Sequence, residues 1–137
     1  MTPEQERLMI EAAQAARENS YSPYSGYKVG AAILSESGEI FAGTNVENAS
    51  FGATICAERG ALMTLIASGH RRICALVVTT PDRGVPCGVC LQMLSEFVTP
   101  ETPVVLVGDE LAPLRKLFRD FLPQVFESDR LPQRHES

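Results

Sequence analysis

Residues 73–107 read ICALVVTTPDRGVPCGVCLQMLSEFVTPETPVVLV, and their order decides the architecture. Residues 73–80 are an apolar run rich in Val, Leu and Thr, stopped by Pro81, which predicts a buried strand. Residues 81–86 hold two prolines, an aspartate and a glycine and read as a loop. Residues 88–98 suit a buried helix, and residues 104–107 form another buried strand. Both strands are continuously apolar, as expected of strands covered on two faces.

The same reading extends in both directions. Upstream, residues 56–68 are rich in Ala and Leu and suit a helix closed by Gly69. Residues 28–36 and 39–46 read as two strands of a hairpin around Ser37-Gly38, followed by a polar loop over 45–52. Near the start, Pro3 with Glu4, Gln5 and Glu6 marks a helix N-terminus, where acidic residues suit the positive end of the dipole. Leu8, Met9, Ala12, Ala13 and Ala16 continue it as a helical stripe ending near Asn19, and residues 21–26 break it. Downstream, residues 114–118 read as a short helix, and residues 129–137 as a polar, frayed tail. The order helix, hairpin, helix, strand, helix, strand, helix predicts an α/β protein, a mixed sheet with helices on its faces.

The 137 residues fit one domain, assigned to 1–127 with a C-terminal tail over 128–137. A net charge of −5 argues against a grip on a nucleic-acid backbone, which needs clustered Lys and Arg. It leaves room for a small, neutral substrate. No apolar signal core follows the polar start, and no apolar run is long enough to span a bilayer. The expected compartment is the cytoplasm. Cysteines there are ligands, catalysts or core residues more readily than disulfides.

Three of the four cysteines fall in a pattern with chemical meaning. Cys87 and Cys90 form a Cys-x-x-Cys pair, and Cys56 lies 31 positions before Cys87, opening a helix as Cys56-Ala57-Glu58. Both groups stand where a loop enters a helix. Free amides and partial positive charge there lower thiol pKa values, and metal binding requires thiolates. Three protein ligands leave a fourth tetrahedral position open, the arrangement of catalytic zinc, which acidifies a water. Glu58, two residues from a ligand, is placed to take a proton from that water and pass it on.

Plainer readings compete. A lone Cys-x-x-Cys is also a redox pair in some folds. A closed structural zinc site needs a fourth ligand, and the candidates are poor. Cys74 lies within an apolar strand, His70 follows a helix end, and His135 lies in the tail.

The zinc-deaminase signature pairs His-x-Glu or Cys-x-Glu with Pro-Cys-x-x-Cys. Both halves stand here, as Cys56-Ala57-Glu58 and Pro86-Cys87-Gly88-Val89-Cys90. Pro23-Tyr24-Ser25-Gly26, Lys28-Val29-Gly30-Ala31-Ala32, Gly43-Thr44-Asn45-Val46-Glu47-Asn48-Ala49-Ser50 and Gln92 follow the same family in order. From about residue 5 to 126 the chain resembles the small, homotetrameric cytidine deaminases.

The resemblance implies a three-layer α/β/α fold around a mixed sheet of about five strands. It implies Zn2+ held by Cys56, Cys87 and Cys90, with Glu58 as catalytic proton shuttle. The implied reaction is hydrolysis of cytidine or deoxycytidine to uridine or deoxyuridine, in pyrimidine salvage. Asn45 and Glu47 match the pair that grips the sugar hydroxyls, and Ala57 offers its amide to the pyrimidine carbonyl. A carbonyl near Val85 is matched to the amino group. Tyr27 falls where the family usually stacks a phenylalanine on the base, so a hydroxyl is added. Phe126 matches an aromatic that reaches a neighbouring subunit's site. Arg59 matches an arginine that offsets the charge of three thiolates, and Gln92 belongs to the same surroundings. The implied partners are a nucleoside and water, with no nucleic acid and no membrane, in a homotetramer with sites at its interfaces.

Two positions depart from the family. Leu91 replaces an arginine before Gln92, expected to alter packing between subunits. Phe51 replaces a tyrosine whose hydroxyl faces the 5′ end of the sugar. Two alternatives therefore stay open: a deaminase of a modified cytosine nucleoside or another aminated heterocycle, and a non-catalytic zinc-binding protein.

Overall fold

The structure, a computed structural model, describes residues 1–127 and Leu131; the expected tail over 128–137 otherwise lies outside the described residues. The first helix, α1, spans Pro3–Glu18. The Gln5 amide donates to the Thr2 hydroxyl, and the Gln5 side chain accepts from the Thr2 amide, a capping box with proline at the first helical position. A hairpin follows, β1 (Gly30–Ser35) and β2 (Ile40–Thr44). Then come α2 (Ala57–Ala67), β3 (Ile73–Thr79), α3 (Gly88–Leu94), β4 (Pro103–Gly108) and β5 (Leu111–Leu117).

The sheet order is β2-β1-β3-β4-β5. β3 and β4 run parallel, joined across α3, and every other neighbouring pair is antiparallel. Side chains of the central strands alternate between two cores, as a period of two requires. Ala31, Ile33, Leu76, Val78, Val104 and Leu106 face α2 and α3, where Leu62, Leu65, Leu91 and Leu94 complete the layer. Ala32, Leu34, Ala75, Val77, Val105 and Val107 face Met9 and Ala13 of α1. With both faces covered, the strands need apolar residues throughout, and the result is a three-layer α/β/α protein.

Two expectations are corrected. Residues 114–118 are not a helix: Leu114 to Leu117 belong to β5, and only Phe118–Asp120 forms a single 3-10 turn. Leu, Arg and Lys are good helix formers, but pairing with β4 overrides that preference. Pro113 is tolerated because β5 is an edge strand whose register shifts opposite Val107. The helix expected over 88–98 stops at Leu94, where the Ser95 hydroxyl donates to the Gln92 carbonyl and the chain turns. Leu91, which stands where the resemblance expects an arginine, is buried in the core of this chain.

Two local devices aim α2 at the hairpin. Gly43 has no side chain because a Cβ there would overlap the backbone of Ala57, Gly60 and Ala61; α2 lies directly on β2. Val46 exchanges both backbone hydrogen bonds with Ile55, each at 2.9 Å, so the residues before α2 are fastened beside Asn45 and Glu47.

Candidate active site

Cys56 is the N-cap of α2 and Cys87 the N-cap of α3. Neither side chain caps the backbone amides of its helix, so both thiols are free to turn toward each other. Cys90, in the first turn of α3, is fully buried beside them. The Sγ atoms of Cys56 and Cys87 are 3.9 Å apart and those of Cys87 and Cys90 are 3.2 Å apart, all three within 4.8 Å. Three thiolates on one tetrahedral zinc, with bonds of about 2.3 Å, stand about 3.8 Å from one another, so the triangle fits Zn2+. Among the described residues no further His, Cys, Asp or Glu joins the cluster. A fourth position is thereby left open, as in catalytic sites.

Arg59 supports the same conclusion. Its Nη2 donates to the Thr54 carbonyl at 3.1 Å and lies 3.8 Å from Cys56 Sγ, while its Nε is buried without a partner. A guanidinium held against sulfur in this way is favourable when the sulfur is a thiolate. The Cys56 thiol is drawn down to about 5 by the hydrogen bond from Cys90 and by the Arg59 guanidinium. The same contact with Cys56, with burial, pushes Cys90 up, so the first negative charge rests on Cys56.

Glu58 is 4% exposed, and its carboxyl is pushed up to about 7, chiefly by burial, with Cys56 adding repulsion. A carboxyl titrating near neutral pH both accepts and returns a proton. Glu58, Cys56, Cys87 and Ala57 line one cavity of about 260 Å³. The Ala57 amide, at the first helical position, has no intrahelical acceptor.

Tyr27, Asn45 and Glu47 line the rest of that cavity. Asn45 is buried; its Oδ1 accepts from the Val29 amide and the Ser20 hydroxyl, and its Nδ2 donates to the Tyr27 carbonyl at 2.8 Å. Glu47 accepts from the amides of Tyr24 and Ser25 and from the Ser25 hydroxyl, and that hydroxyl holds its carboxyl below the usual range. The Tyr27 hydroxyl donates to Asp82 at 2.6 Å.

Ser25, Thr54 and Thr80 also line the cavity; Ser25 lies in a stretch that carries the family resemblance, and the sequence assigns none of the three a role. Thr80 directly follows the C-terminal end of β3, where open α/β sheets place their ligands; that rule identifies it once the sheet is known. Phe126 does not line the cavity; it is exposed, and its carbonyl accepts from the Gln92 side chain at 3.1 Å. Gln92 thus ties the C-terminal segment to α3. Phe51 lies outside the cavity too, 78% exposed and edge-on to Tyr24.

Fold and site together define a metal-dependent enzyme of the α/β class. Residues 3–106 match the cytidine and deoxycytidylate deaminase zinc-binding region, and the chain belongs to that family. It is 44% identical over 102 residues to the cytidine deaminase of Halalkalibacterium halodurans, covering 73% of this chain and 77% of that one. With the cytidine deaminase of Mycobacterium tuberculosis it shares 40% identity over 123 residues, 88% of this chain and 89% of the relative. The crystal structure of cytidine deaminase from Burkholderia pseudomallei superposes with a TM-score of 0.83 at 42% identity, covering 92% of this chain and all of the other.

Proposed function

We propose that the protein hydrolyses the exocyclic amine of cytidine and deoxycytidine, releasing ammonia and leaving uridine or deoxyuridine. One observation carries this reading: two of three converging thiols and a buried glutamate line the same cavity as Asn45 and Glu47. The relatives named above are cytidine deaminases, which favours neither the modified-nucleoside nor the non-catalytic alternative.

Cys56, Cys87 and Cys90 hold the zinc ion, which when bound supplies the Lewis acidity that makes water nucleophilic near neutral pH. Glu58 takes a proton from the water that attacks the ring carbon bearing the amine. It gives that proton to the ring nitrogen, then moves the second proton, from the hydroxyl now on that carbon, to the departing amino group, so one water enters and one ammonia leaves. Burial of Glu58 supports this role, because it brings the carboxyl to about 7, where both its ionised and its protonated form are populated. Arg59 balances the thiolate charge. The Ala57 amide binds the ring carbonyl, and the Val85 carbonyl accepts from the amine. Tyr27 stacks on the base, while Asn45 and Glu47 bind the sugar hydroxyls.

The cavity also favours free nucleosides over nucleotides. Among the described residues that line it there is no Lys or Arg, whereas Glu47 and Glu58 are both present. A 5′-phosphate would meet carboxylates without a cation to pair with.

Residues 1–127 act as one deaminase domain in the cytoplasm, as a homotetramer whose Phe126 reaches a neighbouring site. Exposed Val89 and Met93 on α3, with exposed Phe126, support a surface that a second copy covers. No described helix is long and apolar enough to cross a membrane, and the net charge of −5 opposes nucleic-acid binding. Ammonia release from cytidine, deoxycytidine and deoxycytidine 5′-phosphate tests the reading; faster turnover of the phosphate than of both nucleosides would overturn it.

A further inference from the structure

The loop between β3 and α3 forms one wall of the cavity through Gly84 and Val85 and delivers Cys87 to the metal site. Its fastenings fall into two sets. The outer side is held by backbone and by one long side chain. Thr80 N donates to the Val107 carbonyl, Asp109 N to the Pro81 carbonyl, and Arg83 Nη1 to the Ala112 carbonyl, each at 3.0 Å. These bonds tie the loop to β4, β5 and their turn, away from the cavity.

The inner side is held through Asp82. Its Oδ1 accepts from the Tyr27 hydroxyl at 2.6 Å and from the Thr80 hydroxyl at 3.4 Å. Thr80 Oγ1 in turn accepts from the Gly84 amide at 2.7 Å. The Tyr27 hydroxyl is packed so closely on this loop that a Cβ at Gly84 would overlap it. Tyr27 therefore touches the loop at both Asp82 and Gly84, from a segment 55 residues earlier in the chain.

We infer that Asp82 is a positioning residue: through the Tyr27 hydroxyl and Thr80 it latches the β3–α3 loop and sets the gap between the Tyr27 ring and Gly84–Val85, the slot that receives the base. This deepens the proposed function and rests on it. Asp82 is exposed and does not line the cavity, so it acts through Tyr27 and the loop and touches no substrate. The outer fastenings survive its loss, so the loop stays in place while its inner wall loosens. A slackened slot weakens nucleoside binding and leaves the thiols and Glu58 as they are.

The test compares Asp82→Ala, Tyr27→Phe, their double variant and Asp82→Asn with the native protein. Asp82→Ala and Tyr27→Phe are each expected to raise KM for cytidine about fivefold, the size of one ordinary hydrogen bond. Expected alongside are kcat within about twofold and unchanged zinc content, melting temperature and exchange at β4. The double variant is expected to match Asp82→Ala, because removing Asp82 already removes the bond from the Tyr27 hydroxyl. Asp82→Asn keeps an acceptor oxygen and is expected to recover most of the native KM. Amide hydrogen exchange in the ligand-free protein is expected to quicken at residues 84–85 in Asp82→Ala. Multiplicative effects in the double variant, an Asn variant as impaired as Ala, or unaltered exchange at 84–85 would each overturn the latch. A native protein that leaves cytidine untouched would instead sink the proposed function, and the exchange data would still decide the latch.

Discussion

The two ends of the cavity are built on opposite terms. At the thiol end, polar groups are left over: Arg59 Nε is buried without a partner, and neither N-cap cysteine caps the backbone amides of its helix. At the sugar end almost every polar atom is already employed. Asn45 Oδ1 has two donors, and Nδ2 has spent one hydrogen on Tyr27. Glu47 already accepts three hydrogen bonds from Tyr24 and Ser25. An amide carries two donors and two lone pairs, and a carboxylate about four acceptor sites, so each side chain keeps about one valence for a ligand. The difference separates two tasks. On the proposed function, the thiol end gains partners when metal and substrate arrive and governs whether reaction occurs. The sugar end is preorganised and, on the proposed function, governs how firmly the nucleoside is held.

The largest effect should come from the thiol end. Glu58→Gln removes the proton carrier and preserves its volume, so kcat is expected to fall about 10²- to 10⁴-fold. Zinc content by elemental analysis should not change, because Glu58 is not in the thiol cluster. A variant that kept most of its rate would show that proton transfer lies elsewhere. Arg59→Ala comes next. It strips the guanidinium from Cys56 Sγ, and zinc affinity measured by chelator competition is expected to weaken about 10- to 100-fold. Undiminished affinity would mean that the thiolates need no cation and that the comparison overstates the role of Arg59.

The contrast also explains what was legible in the sequence. The thiol end comes from two short segments, 56–59 and 86–90, each opening a helix, so spacing along the chain reports spacing in space. The sugar end has no such local code. Asn45 and Glu47 entered only through family resemblance, since their partners at Ser20, Tyr24 and Ser25 lie more than twenty residues away. Asp82 looked like an ordinary loop aspartate, because its bond to Tyr27 exists only after β1 and β3 pair. The helix expected at β5 has a related origin: Leu114 to Leu117 favour a helix locally, and only β4 beside them makes them a strand. Central strands were easy by comparison, since burial on both faces leaves a continuous apolar record.

At the sugar end, substitutions should separate holding from shaping. Asn45→Ala is expected to do damage of both kinds. It leaves the Val29 amide and the Tyr27 carbonyl without their partner, at about 1–3 kcal/mol of stability, or roughly 3–10 °C in Tm. KM should rise as well, since the spare hydrogen on Nδ2 is lost with the rest. Unchanged Tm with raised KM would mean that Asn45 serves the ligand alone, against the saturated network seen around it.

Glu47→Gln is the gentlest change and the sharpest. The glutamine oxygen still accepts from the amides of Tyr24 and Ser25, so the segment that Glu47 clamps should hold and Tm should barely move. What disappears is the negative charge, and charge-assisted hydrogen bonds are about twice as strong as neutral ones. KM is therefore expected to rise a few-fold with kcat unchanged. The acid limb supplies a second reading. The Ser25 hydroxyl and amide and the Tyr24 amide hold the Glu47 carboxyl below its ordinary value of 4.5. A depressed pKa makes the contribution of the ionised form complete above that ordinary value and lost as pH falls through the lowered one. Native KM for cytidine should thus stay flat with respect to Glu47 down to about pH 4.5 and climb only below it. The glutamine variant should start higher and lack that climb. If its KM still rose in acid along the native curve, another group would carry the sugar-binding charge, and the division between the two ends would have to be redrawn around that group.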